Sequence, residues 1–339
     1  MKSDLLKKLL DTKTSSISPD REHVQVTIPK EDTSDLVRIT PAIESVNLSE
    51  WMQSHKNELR EKLSRYGGIL FRSFELPEAD AFRTAFRHYT GNLIDYTYRT
   101  SPRTEISNNI YTSTDYPSDQ LIRMHTESSY APEWPLHLAF YCLIPPGAGG
   151  ETPVVDMRKV LHSLQPETRH LFEEKGVMYI RNMKKNLGLS WQEVYQTDDR
   201  KVVEDFCINN GIQYEWVSDD HLRICWTRPA IHTHPVSGDK TWFNHAYFYH
   251  KRYQDNHLLQ SVPADQLPFT SRFGNGEEIP TDVIEEVGQV IQEHTITFPW
   301  QKGDMLLLDN MLMGHSRNPY EGDRKILVAM ADPIRHDSR

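Results

Sequence analysis

Lys302–Asp332 reads KGDMLLLDNMLMGHSRNPYEGDRKILVAMAD. Two apolar runs, Met305–Leu308 and Ile326–Ala331, are bounded by Gly, Asp, Asn and Pro. Runs this short with turn residues on both sides read as strands buried on both faces. The segment therefore predicts a strand, a turn containing His315, and a second strand opened by Arg324.

The same grammar recurs along the chain. IRMHTE, LHLAFYCLI, GVMYIRN, IQYEWV, HLRICWT, KTWFNHA and HTITFPW are short and rich in β-branched or aromatic residues. Helical patterns lie between some of them, at DMRKVLHSLQPETRHLFEEKG, LSWQEVYQTDDRKVVEDFCINNG and PTDVIEEVGQVIQEH. The chain opens helix–strand–helix. LSEWMQSHKNELREKLSRYGG carries an apolar stripe with Ser49 as N-cap and Gly67 as stop, GILFRSF is a buried strand, and LPEADAFRTAFRHYTG is a second helix. This order is no regular βαβ alternation, so a doubly wound parallel sheet is disfavoured. The prediction is mainly β with flanking helices (α+β), built on a double-stranded β-helix, or jelly-roll, core with long inserts. Residues 1–35 read as a charged, loosely held N-terminal extension in which only VQVTI alternates like a strand, and 36–339 as a single domain.

Composition limits the function classes. The 339 residues are 37% hydrophobic and carry a net charge of −10 with no long Lys/Arg block, which excludes a nucleic-acid surface as the natural reading. The acidic balance also opposes docking of an acidic carrier protein, short of a local basic patch. No run reaches the roughly 18 apolar residues of a membrane span, and MKSDLLKKLLDTK lacks the apolar core of a signal peptide. Three scattered cysteines with no C-x-x-C argue against a disulfide framework or zinc ribbon and fit a reducing, cytoplasmic setting.

Chemistry concentrates in a few residues. His125 and Glu127 stand two apart, and on a strand such side chains share a face. A lone pair of this kind is weak among 16 His and 48 acidic residues. A distant His315 completes two His and one carboxylate, the facial triad of non-haem Fe(II) oxygenases, with three metal positions left open. Arg324, nine residues on, offers a bidentate fork for a carboxylate. Thr152 follows the Gly-rich turn IPPGAGGE, which is no P-loop because no G-K-[ST] follows.

Taken in order, GGILFRSF, NIYTSTDYP, HTESSY…WP…FYC…PPGAGGETPVVDMR, GLSWQEVYQTDDR, RPAIHTHPVSG with TWFNHA, and GDMLLLDNMLMGHSRNPYEGDRKILVAM resemble the iron- and 2-oxoglutarate-dependent oxygenases of the taurine dioxygenase (TauD/TfdA) and clavaminate synthase group. The chain is most similar to the branch containing SyrP-like proteins. The resemblance runs from about Gly67 to the end. It implies Fe(II) ligands His125, Glu127 and His315, with Thr152 and Arg324 on the far carboxylate of the cosubstrate 2-oxoglutarate and O2 as oxidant. Thr126 stands where the branch often has Asn. Related halogenases replace the carboxylate ligand by a small residue; the presence of Glu127 implies hydroxylation or another hydrogen-abstraction outcome. The implied substrate is a small molecule of secondary metabolism, an amino acid or derivative, free or carrier-tethered.

Other residues are candidates for the substrate wall: Tyr111, Ser113 and Asn244 as lining, Arg228 and Arg317 as anion contacts, the last two with structural ion pairing as the ordinary alternative. His232 and His234 form a same-face pair without a neighbouring carboxylate, and His245 and His250 read as packing or surface. Two other functions compete with an oxygenase. A non-catalytic metabolite or 2-oxoglutarate sensor would use the same barrel. A zinc hydrolase is opposed by the absence of H-E-x-x-H.

Overall fold

Residues 23–29, 35–94, 105–107, 109–113, 116–184, 188–253, 262–263 and 266–336 are described by the computed structural model. In chain order the strands are β1 (Val24–Thr27), β2 (Val37–Pro41), β3 (Gly68–Phe71), β4 (Glu105–Ser107), β5 (Ile110–Thr112), β6 (Ile122–His125), β7 (Glu133–Ile144), β8 (Ala148–Gly149), β9 (Val154–Asp156), β10 (Val177–Lys184), β11 (Gln213–Ser218), β12 (His221–Arg228), β13 (Ile231–Thr233), β14 (Lys240–Trp242), β15 (Phe269–Phe273), β16 (Met305–Asp309), β17 (Met313–Arg317), β18 (Tyr320–Glu321) and β19 (Lys325–Arg335). Eight of them form the main sheet, in the spatial order β1-β2-β3-β16-β7-β19-β5-β4. A second sheet is β6-β17-β9, a third is β11-β12-β10-β15, and β13–β14 and β8–β18 are two-stranded.

The middle of the main sheet is apolar at almost every position because both of its faces are covered. On β16, Met305 and Leu307 join Trp51, Leu59, Phe82 and Phe86 from the N-terminal helices. Leu306 and Leu308 point the other way and join Phe140, Val328, Val154 and Met313. This second cluster holds the main sheet against β6-β17-β9 and is the interior of the jelly roll. Leu306 and Leu308 are fully buried, each contributing about 1.5–3 kcal/mol relative to exposure.

Local differences from the sequence reading have local causes. The first helical stretch is two helices, Leu48–Ser54 and Lys56–Tyr66, meeting at His55. Its N-cap is Asn47, whose side chain accepts from the backbone N–H groups of Ser49 and Glu50. Gly67 ends it in the left-handed conformation, as expected. VQVTI supplies β1, which pairs with β2 at the sheet edge. HTITFPW contributes only one bridge, Ile296 to Val154. Among the described residues no helix is long and apolar enough to cross a membrane.

Candidate active site

The register of the second sheet brings two distant histidines together. β6 and β17 are antiparallel with His125 and His315 as direct partners. Partners across a ladder project to the same face. On the other side His315 is partnered by Val154 of β9. Val154 and Met313 belong to the cluster shared with the main sheet, so both imidazoles enter the jelly-roll interior. The ring of Phe140 on β7 meets that of His315 at 5.1 Å between centroids, and the two imidazole centroids are 4.3 Å apart. His315 therefore sits mid-strand, where the sequence predicted a turn.

Glu127 also departs from expectation in its setting. It lies beyond the end of β6, in the turn that leads to β7, so strand alternation does not aim it. Ser128, next in the chain, has φ 57°, a left-handed conformation uncommon for a side-chain-bearing residue. The turn is fixed by Asn310, in the connection between β16 and β17. The Glu127 N–H donates to Asn310 Oδ1 at 2.7 Å, and Asn310 Nδ2 donates to the Glu127 carbonyl at 2.9 Å and the Pro135 carbonyl at 2.8 Å.

With these elements in place, one ligand atom from each of His125, Glu127 and His315 lies within 4.8 Å of the other two. Nδ1 of His125 is 2.8 Å from the Arg123 carbonyl, which can only accept. Nδ1 therefore carries the proton, which makes Nε2 the unprotonated nitrogen, the tautomer of an imidazole that ligates a metal through Nε2. Two imidazoles and one carboxylate in this cluster fit a divalent iron with open positions.

A second polar cluster surrounds the half-buried Arg324, just before β19. Its Nε donates to the Gly150 carbonyl at 2.8 Å, and its two terminal nitrogens lie 3.4 Å from Ser113 Oγ and Thr152 Oγ1. Trp300 Nε1 donates to the same Thr152 oxygen at 3.1 Å. All three Arg324 bonds go to uncharged oxygens. Burial and the neighbouring Arg317 guanidinium push its pKa down to about 10, so it stays cationic at neutral pH in a place that solvates a cation poorly. Both guanidiniums lie beside the Tyr320 ring, at 5.3 and 5.4 Å. Such a cluster favours an anion. Gly150, at φ 66°, is required here. A Cβ would come within 2.8 Å of Tyr320 Cβ and 3.0 Å of Arg324 Cδ.

The model of the family described as "Taurine catabolism dioxygenase TauD, TfdA family" matches residues 33–330. The chain belongs to this TauD/TfdA dioxygenase family. This TauD/TfdA member is 34% identical over 300 residues to the dapdiamide synthesis protein DdaC of Enterobacter agglomerans, covering 87% of the chain and 91% of the relative. It is 28% identical over 300 residues to a clavaminate synthase-like protein of Arabidopsis thaliana, covering 86% and 89%. Among solved structures, PvcB of Pseudomonas aeruginosa superposes with a TM-score of 0.55 at 12% identity, covering 91% of both chains. A taurine dioxygenase of Burkholderia xenovorans does so at 0.54 and 14%, covering 94% of this chain and 93% of that one. These structural matches show that the TauD/TfdA member has the jelly-roll fold expected from its sequence.

The remaining candidate residues of this TauD/TfdA protein are placed as follows. Ser113 joins Arg324. Tyr111, on β5, is buried within the interior cluster. Arg317 turns to the segment before β6, donating to the carbonyls of Tyr116, Pro117 and Gln120. Arg228 donates to the carbonyls of Thr227 and Asn210, which are backbone contacts in place of ion pairs. Both ends of the Asn244 amide are bonded to backbone, at Ala230 and Ala246. His232 rests against Trp134, Phe243 and His336.

His245, read from the sequence as packing or surface, is packed and buried. Its ring lies 5.8 Å from that of His125 and 4.8 Å from Tyr130, and its Nδ1 is 2.7 Å from Ser129 Oγ. Burial, then the nearby His125, hold its pKa well below the usual histidine range.

Proposed function

We propose that this protein is a non-haem Fe(II)- and 2-oxoglutarate-dependent dioxygenase with one oxygenase domain over residues 36–339. It hydroxylates a C–H bond of an amino acid or amino-acid derivative, free or carrier-tethered, in cytoplasmic secondary-metabolite biosynthesis. 2-Oxoglutarate, O2 and R–H give succinate, CO2 and R–OH, one oxygen atom entering succinate and the other the product. The reading is carried by a His/Glu/His ligand set together with the Arg324 guanidinium, whose bonds among the described residues go only to uncharged oxygens. Family membership and the biosynthetic relative DdaC support it.

Bound iron, with 2-oxoglutarate and O2, supplies the oxidising power for C–H cleavage. The chain supplies the geometry. His125 and His315 offer neutral nitrogens and Glu127 one negative charge, so a divalent ion keeps charge for an anionic chelator. Arg324, with Thr152 and Ser113, receives the distal carboxylate and sets the cosubstrate's orientation. Phe140, Val154 and Trp300 form part of the apolar interior that excludes water. The three free cysteines accord with a reducing compartment.

The test is succinate release from 2-oxoglutarate with Fe(II) and ascorbate, across a panel of amino acids and their derivatives. At least one panel member is expected to stimulate release and to gain one oxygen atom. Tight binding of iron and 2-oxoglutarate with no turnover on any member would instead favour a sensor.

A further inference from the structure

The connection 310–312 carries the chain from the main sheet to the second sheet. The turn Glu127–Pro132 carries it back the other way. The two crossings lie side by side, because β16 and β7 are paired with Asp309 opposite His137. Asn310 joins them. Besides its three side-chain bonds, its backbone N–H donates to the Leu136 carbonyl at 2.8 Å, and it is fully buried.

Asn310 is itself braced. Asp309 Oδ1 accepts from the N–H groups of Met311 and Leu312 at 3.0 and 3.1 Å. Its Oδ2 meets His234 Nε2 at 2.9 Å. Nδ1 of His234 accepts from the N–H groups of Val236 and Ser237, which leaves Nε2 as the donor to Asp309. His234, one of the pair whose function the sequence left open, thus supports the crossing that ends in His315.

We propose that Asn310 is a positioning residue for the metal site. It grips the Glu127 peptide groups on both sides and fixes the carboxylate opposite His125 and His315 before any metal arrives. This rests on the reading of Glu127 as a ligand. An Asn is needed because the grip uses one acceptor and two donors at once. Aspartate keeps the acceptor, loses both donors, and sets a negative charge against two carbonyls. Residues that orient metal ligands typically change metal affinity by about 10–100-fold when lost.

The experiment titrates the full-length, metal-free protein with Mn(II) under anaerobic conditions, below the unfolding range of every variant compared. Asn310→Ala and Asn310→Asp are expected to bind Mn(II) about 10–100-fold more weakly than wild type. Glu127→Ala is the reference. If wild type binds no Mn(II), or Glu127→Ala binds as well as wild type, the ligand reading fails. If Glu127→Ala is weakened and folded Asn310 variants are not, the positioning role alone is overturned. A second readout needs no variant. In metal-free wild type, the Glu127 amide is expected to resist hydrogen exchange as strongly as the amides of β16. Fast exchange there, slowed only by metal, would overturn the proposal.

Discussion

His315→Ala is expected to abolish metal binding and turnover together. His315 is the one donor on β17, and nothing adjacent on that strand replaces it, because Gly314 has no side chain and Ser316 alternates to the other face. Loss of a direct ligand exceeds the roughly 10–100-fold cost of losing a residue that merely orients one, so affinity for Mn(II) or Fe(II) should fall by more than about 100-fold. The metal-free fold should survive, since β17 keeps its ladders to β6 and β9. Metal titration beside a thermal melt separates the two effects. Stoichiometric metal binding by a folded variant would remove His315 from the site.

Arg324→Ala is expected to leave metal affinity nearly unchanged and to raise the 2-oxoglutarate KM by about 10–100-fold. A hydrogen bond to a charged group is worth about 1.5–3 kcal/mol, and each 1.4 kcal/mol is about tenfold. Thr152 and Ser113 remain, but neither carries charge. Steady-state succinate release against 2-oxoglutarate concentration measures the effect. An unchanged KM would show that the cosubstrate carboxylate binds elsewhere.

His315 and Arg324 stood out in the sequence because each belongs to a short pattern of chemically costly side chains. The strands were legible where burial on both faces left uninterrupted apolar runs, as at Met305–Leu308 and Leu138–Cys142. MGHSR was not, since its five residues show no alternation and become β17 only by pairing with β6 and β9. Glu127 was placed beside His125 for the wrong reason. A strand pleat was expected, whereas a turn held from a distant part of the chain does the aiming. Asn310 and His234 carry no local mark of this role. An Asn in a turn reads as a turn former, and only the crossing of two sheets shows what its amide grips. Arg228 and Arg317 resembled anion binders because sequence does not reveal that backbone carbonyls already occupy them.

If the proposed function is right, the metal and 2-oxoglutarate bind together in one interior. Anaerobic addition of Fe(II) and then 2-oxoglutarate to the full-length protein, followed by visible absorption, tests it most directly. A metal-to-ligand charge-transfer band is predicted, saturating at one equivalent of iron and absent in His315→Ala. Iron bound at one equivalent, with saturating 2-oxoglutarate and no such band, would show that the cosubstrate does not chelate the metal.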